Sequence, residues 1–318
     1  MKSLKKIFRG QVLSIYIALI AIVILFSILS PNFRTFSNLL TVLRQIAGIG
    51  IMACGMMFVM LLGNVDLSVG TQISLLGIVM SYCMVNMKMG IFPAILIGIV
   101  LGLAIGLING LVVSKLHVPA FIGSYGMQTI VYGIALIYTG AQPIGGLIPE
   151  YTDWAAGSFL NIQLIPNLAV VTAIVMLVMW FLYNHTPYGK KMYAIGGNPD
   201  AAEVSGINTT RMTIASYMIA ASLFALAGFM LGAKAGGTSS NLANGYELFA
   251  IAGCTIGGVS VNGGTGKVSG ILMGVLVFEI LKIEMTFLGI DTAWTYIVQG
   301  IVIVVAIALD IRKYIAKR

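Results

Sequence analysis

The residues able to do chemistry in this chain are few, and their spacing argues against catalysis. Gly263-Gly264-Thr265-Gly266-Lys267 has the glycine density and closing lysine of a phosphate-cradling loop. That loop also requires a glycine five residues before the glycine that precedes the lysine, and a hydroxyl residue after the lysine. Positions 261 and 268 are both valine, so both requirements fail, and any ATP that drives this protein is bound by another chain. Asp66 lies in GNVDLSVG between two apolar runs. An acid inside hydrocarbon is costly and usually functional. An acid just outside it can cap the next helix through free backbone N–H groups, and that reading is preferred here. Glu279 and Lys282, three apart in an apolar run, can neutralise one another on one helix face. Glu247 beside Tyr246 suits helix initiation. His117 and His185 are isolated, and Cys54, Cys83 and Cys254 sit in apolar segments without metal or redox spacing. No group has nucleophile–base or metal-ligand spacing. No catalytic residue, metal or cofactor is therefore expected, and a membrane-embedded hydrolase or protease is disfavoured.

The elements that carry these residues are set by composition. The chain is 59% hydrophobic and 9% charged, with a mean hydropathy of +1.00. Soluble chains need about 25% charged residues to solvate a surface, so this one is expected in a membrane. The net charge of +8 raises nucleic acid as a partner, but the basic residues sit at the ends and in short loops, without a basic face. Membrane orientation explains them better. Apolar runs of about 20 residues occur at 12–30, 42–62, 70–87, 91–113, 120–140, 167–184, 213–233, 246–261, 267–284 and 293–310. The expected fold is all-α: a polytopic membrane protein of about ten transmembrane helices. The eighth run is short and glycine-rich, and reads as broken or only partly inserted. The first is longer than a signal-peptide core and lacks a small-residue cleavage site, so it reads as an uncleaved span.

Basic residues orient the spans. Ten spans place both termini on one side with Lys115, Lys190, Lys191, Arg211 and Lys267. That side holds thirteen of the eighteen Lys and Arg residues. The other side keeps Arg34, Arg44, Lys88, Lys234 and Lys282, and its longest loop, 141–166, carries Glu150 and Asp153 without a basic residue. Both termini are thus expected in the cytoplasm. Gly98, Gly102, Gly106 and Gly110 form a smooth strip that lets helices approach closely; a second reading is helices that slide. The pattern G-x-V-x-x-x-x-G occurs at 63–70 and again at 257–264, a hint of repeated, interrupted helices.

One polar island, residues 183–213, interrupts the apolar sequence and falls on the cytoplasmic side. Within it Asn198 can cap a very short helix with Pro199 at its first position. Asp200 and Glu203 favour its positive end, and Gly206 can take the left-handed conformation that stops it. A helix of about 10 Å is marginal alone, so its capping suggests a knob on which another protein pushes.

At this island the order of elements resembles one family. TPYGKKMYAIGGNPDAAEVSGI is similar to the cytoplasmic coupling loop of ribose/galactose-type sugar permeases of ATP-binding cassette (ABC) importers. GNVDLSVG around Asp66, KLHVPAFIGSYGM from Lys115, GYELFAIAGCTIGGVSVNGGTGKVSG from Gly245 and LGIDTAWTYIVQGIVIVVAIALDIRKY from Leu288 also resemble that family. The resemblance spans nearly the whole chain and implies one permease domain over 1–318, with a coupling loop at about 184–212, in the bacterial plasma (inner) membrane. It implies two permease copies, cytoplasmic ABC ATPase subunits, and an extracytoplasmic sugar-binding protein that carries most of the selectivity. The EAA-x-x-x-G pattern of such loops falls on Asp200-Ala201-Ala202 and Gly206, with Asp in place of Glu. It assigns Asp200, Ala201, Ala202, Glu203 and Gly206 to ATPase coupling. Asn64, Asp66, Ser68, Gln72 and Asn262 are the candidate pathway-lining or gating positions. The alternatives are an ion-coupled transporter using Asp66 or Glu279, a non-transporting scaffold, and ABC import of a nucleoside or other small polar solute.

Overall fold

The computed structural model describes residues 11–315. Its helices run in order as α1 (Gln11–Leu29), α2 (Phe36–Met60), α3 (Val69–Val85), α4 (Ile91–Ser114), α5 (Ala120–Thr139), α6 (Pro149–Ala156) and α7 (Asn167–His185). They continue as α8 (Pro187–Gly197), α9 (Pro199–Val204), α10 (Thr209–Ala235), α11 (Tyr246–Ile256), α12 (Val268–Phe287) and α13 (Thr292–Ile315). Among the described residues there is no strand beyond two isolated bridges. Lys2, Lys5, Lys6, Arg9, Lys317 and Arg318, which weigh in the expected orientation, lie outside the described residues.

Each of the ten apolar runs carries a helix. Among the described residues five, α2, α4, α5, α7 and α10, are long and apolar enough to cross a membrane. The fold is all-helical, and the chain is a multi-pass membrane protein. Helix α11 has 11 residues, or about 16 Å, roughly half a bilayer core. It stops where Gly258 turns to φ +84°. The expectation of a broken eighth element fits this half-length.

Helices α2 and α10 form the centre. Thr35 caps α2 by accepting the Asn38 N–H at 3.3 Å, and Asn208 caps α10 by accepting the Arg211 N–H at 2.8 Å. Nearly all of α2 from Ile46 onward is buried. The glycine strip of α4 lies directly on α10. A Cβ on Gly102 would sit 2.7 Å from the Ala221 carbonyl oxygen, and one on Gly110 2.7 Å from Ile214 Cα. Backbone thus packs on backbone along this seam, the close approach that small residues permit in membranes. The outward faces of α4 and α5 carry bare apolar side chains such as Phe92 and Ile137.

Helix α6 was not foreseen within the 141–166 loop. Pro149 starts it and Glu150 sits in its first turn, the usual chemistry of a helix start. Its Tyr151 is buried, donates to the Phe229 carbonyl and lies 4.6 Å from the Phe229 ring. The same loop is pinned by paired backbone bonds between Ile144 and Thr238, at 2.8 and 2.9 Å.

Candidate functional site

The polar island folds as two short helices meeting at Asn198. Thr186 caps α8 by accepting the Gly189 N–H at 3.3 Å, and Asn198 Oδ1 accepts the Ala201 N–H at 3.0 Å to start α9. Pro199 stands at the first position of α9 with Asp200 in its first turn. Gly206 ends it at φ +82°, with its N–H donating to the Glu203 carbonyl at 2.9 Å. These are the capping contacts expected from the residue types. Ala202 is the residue of α9 that turns inward; Asp200, Ala201 and Glu203 are exposed. Val204, which the sequence reading passed over, is 91% exposed. A bare β-branched apolar residue in an otherwise polar loop was the available signal.

Helix α8 connects this knob to the helix ends. Met192 and Ile195 are buried, and the Tyr193 hydroxyl donates to the Gly266 carbonyl at 2.8 Å. At Gly196 a side chain would overlap the Leu61 carbonyl oxygen and the Gly264 nitrogen. Gly264 in turn donates its N–H to Leu61 at 3.0 Å. Three segments therefore meet backbone to backbone: the end of α8, the turn after α2, and the turn between α11 and α12. A Cβ on Gly63 would approach the Asn262 carbonyl at 3.2 Å, so the two G-x-V-x-x-x-x-G loops touch. Tyr188 also reaches α10 through Ser216 Oγ at 3.0 Å. These contacts join α8 to the end of α2, to α10 and to the turn between α11 and α12.

The structure brings three of the five candidate pathway residues together. Asp66 Oδ1 accepts both the N–H and the hydroxyl of Ser68, the former at 2.9 Å. Gln72 Nε2 donates to Ser68 Oγ at 2.7 Å and to Asp66 Oδ2 at 3.4 Å. Asn109 of α4, absent from the sequence reading, donates to Ser68 Oγ at 3.0 Å. All four are buried. Burial pushes the Asp66 carboxyl up to about 6, against the downward pull of the hydrogen bonds from Ser68, Gln72 and Asn109. Asp66 thus fixes the turn that leads into α3 through Ser68, the N-cap residue. Among the described residues it accepts from none of the backbone N–H groups of the helix itself, so the capping reading holds only in this indirect form. The neighbouring loop backbone is held by Ser124 Oγ, which accepts the Leu67 N–H at 3.0 Å, and by Tyr217, which donates to the Val65 carbonyl at 3.2 Å. Asn64 is half-buried and Asn262 exposed, both at the loop junction and outside this network.

The expected Glu279–Lys282 pairing takes a different form. Lys282 Nζ lies 5.5 and 5.2 Å from the ring centroids of Tyr246 and Phe249, a favourable cation–π geometry. Glu279 is buried, with Gln45 and the charges of Lys282 and Lys234 acting on it. The i, i+3 spacing leaves Lys282 within electrostatic reach of Glu279, on which Lys234 also acts, while aromatic faces from α11 flank the ammonium. The three cysteines are buried and free, and Cys254 donates to the Ala53 carbonyl.

Comparison with known proteins fits this architecture. Residues 38–307 match the family described as the branched-chain amino acid transport system / permease component. The ribose import permease protein RbsC of Bacillus subtilis is 40% identical over 95% of this chain and 94% of its own length. The galactose/methyl galactoside import permease protein MglC of Haemophilus influenzae is 34% identical over 96% of this chain and 95% of its own. RbsC of Escherichia coli is 35% identical over 93% and 92%. No solved structure matches. The match extends from α2 to α13, so it includes the α8–α9 knob, the Asp66 network and the half-length α11. The chain is a transport subunit rather than an enzyme, and it belongs to the family of ribose/galactose-type ABC importer permeases.

Proposed function

We propose that this chain forms the transmembrane pathway of an ATP-driven importer for a monosaccharide, with α8 and α9 receiving the stroke of a separate ATPase. The observation that carries the coupling is the backbone contact of Gly196 with Leu61 and Gly264. It makes the α8–α9 knob and two interhelical turns one mechanical unit. Asp200, Ala201, Glu203 and Val204 present the docking face, while Ala202 and Gly206 shape it. Ten spans with both termini cytoplasmic agree with the side on which Lys115, Lys190, Lys191, Arg211 and Lys267 collect. The relatives named for ribose and galactose support a sugar cargo. Two copies of the chain, two ATPase subunits and an extracytoplasmic sugar-binding protein complete the importer in the bacterial inner membrane. Asp66, Ser68 and Gln72, tied to Asn109, fix the start of α3 and serve gating through it. Asn64 and Asn262 sit where the two turns meet and report their relative movement. The test is to purify the chain with its co-expressed ATPase and binding protein, then identify the solute that the binding protein retains. A monosaccharide supports the reading; a retained amino acid, or no bound ATPase, contradicts it.

A further inference from the structure

A second site lies away from the knob, beside the half-length helix. After α10 the chain does not enter a helix at once but runs irregularly through residues 236–245. Thr238 packs near Gly77 and Gly232, and the Ala243 N–H donates to Ser74 Oγ at 3.1 Å. A side chain on Gly70 would overlap the Ala243 carbonyl. The segment therefore travels along α3 from Gly77 toward Gly70, about 10 Å of helix, before α11 begins. Irregular backbone at membrane depth is tolerated only where protein buries it or where it borders a water-filled cavity.

It borders one. A cavity of about 310 Å³ opens between this segment, the first turns of α3 and one face of α5. The segment contributes Ser240, Asn241 and Asn244, and α3 contributes Thr71 and Ser74. Helix α5 adds Tyr125, Gln128, Thr129 and Tyr132, spaced i, i+3, i+4, i+7 and so aligned as one stripe. Tyr125 is 59% exposed. A polar stripe on a membrane helix faces protein or water in preference to lipid. Among the described residues the side-chain amides of Gln128, Asn241 and Asn244 have no hydrogen-bond partner. The volume lies at the small end of ligand sites.

We infer that this cavity is the solute-contacting wall of the pathway, and that it selects an uncharged polyhydroxylated solute. The inference rests on the import reading above and adds to it the contacting residues and the reason for their selectivity. Hydroxyl and carboxamide groups both donate and accept, matching the dual character of sugar hydroxyls, and two tyrosine rings supply apolar faces for a sugar's C–H surface. No charged side chain lines the cavity. A zwitterionic amino acid would leave its carboxylate without a counter-charge there, at a desolvation cost; the Glu247 carboxylate, which lies against Gly70 on the wall, is itself acidic and cannot supply it. The positive end of α11 does not supply one, because buried Glu247 occupies its first turn. The wall thus favours the sugars named for the relatives over the amino acids in the family description.

The test uses the full chain in its assembled importer. Gln128→Cys and Asn241→Cys are exposed to a membrane-impermeant cationic methanethiosulfonate in permeabilised vesicles, with Ile137→Cys on the outer apolar face of α5 as control. Labelling at 128 and 241 but not at 137 is expected. Gln128→Leu and Asn241→Leu should each lower D-ribose or D-galactose uptake about tenfold at equal membrane levels, the equivalent of one lost hydrogen bond. Labelling at 128 and 241 no faster than at 137 would overturn the water-lined wall, even if sugar import stands. Labelled sites with unchanged uptake in both leucine variants would overturn solute contact. Import of L-leucine in place of both sugars by the unaltered chain would overturn the sugar reading and the polyol selectivity with it.

Discussion

The hydroxyl of Tyr193 on α8 donates to the carbonyl of Gly266 at 2.8 Å, tying the exposed knob to the turn between α11 and α12. Two residues away, Gly264 bonds to Leu61 at the end of α2. These contacts join α8 to the ends of α2 and α11, and on the proposed coupling a movement imposed on α8 reaches both.

Tyr193→Phe removes that hydrogen bond and keeps the ring. The expected cost to the junction is about 1 kcal/mol, too little to unfold the protein but enough to loosen the transmission. The purified importer should keep its ATPase activity while solute moved per ATP falls several-fold. An unaltered ratio of transport to hydrolysis would show that the contact carries no stroke.

Gly206 holds φ +82° with open space around its Cα. The penalty of a substitution there is therefore conformational rather than steric. Gly206→Val should destabilise the end of α9 by about 1–2 kcal/mol, lowering ATPase co-purification and uptake. Gly206→Asn should retain most of both, because Asn tolerates the left-handed region. Equal loss in the two variants would contradict the conformational account.

Val204→Asp tests docking apart from folding. The side chain touches solvent almost all round, so the change should shift the permease's own stability by less than about 0.5 kcal/mol. Binding of the ATPase, measured by titration in detergent, should weaken about tenfold or more if this apolar residue is buried in the interface. Unchanged affinity would remove Val204 from the contact.

Asp66→Ala strips the acceptor from the Ser68 N–H and from Gln72, all inside the protein. The expected loss is about 1–3 kcal/mol, read as a lowered thermal midpoint of the purified chain. Asp66→Asn keeps an acceptor for the Ser68 N–H and should lose less. A larger loss in the Asn variant would mean that the negative charge itself, rather than the accepting oxygen, stabilises the site.

What was legible in the sequence was local. The apolar runs carry helices because their length and composition leave no other way to satisfy the backbone in lipid. The caps of α9 follow from Asn198, Pro199 and Gly206, whose preferences act within a few residues. The glycine strip of α4 announced close packing without naming Ala221 or Ile214 as what it meets. The remainder depends on contacts distant in sequence. Nothing in the spacing of Gly196 says that it will rest on Leu61 and Gly264, or that Asn109 will join Ser68. The stripe on α5 was readable at i, i+3, i+4, i+7, but the apolar residues between its members masked it. For Lys282 the near partner Glu279 was visible, whereas the competing rings of Tyr246 and Phe249 come from another helix.

The most direct measurement is ATP-dependent uptake of D-ribose and D-galactose into proteoliposomes containing this permease, its ATPase and its binding protein. Wild-type chain should accumulate one of the two sugars only with internal or external ATP on the side of α8 and α9, and Gly206→Val should abolish most of that uptake. Sugar accumulation driven by an ion gradient without the ATPase, or full uptake by the Gly206→Val chain, would contradict the account.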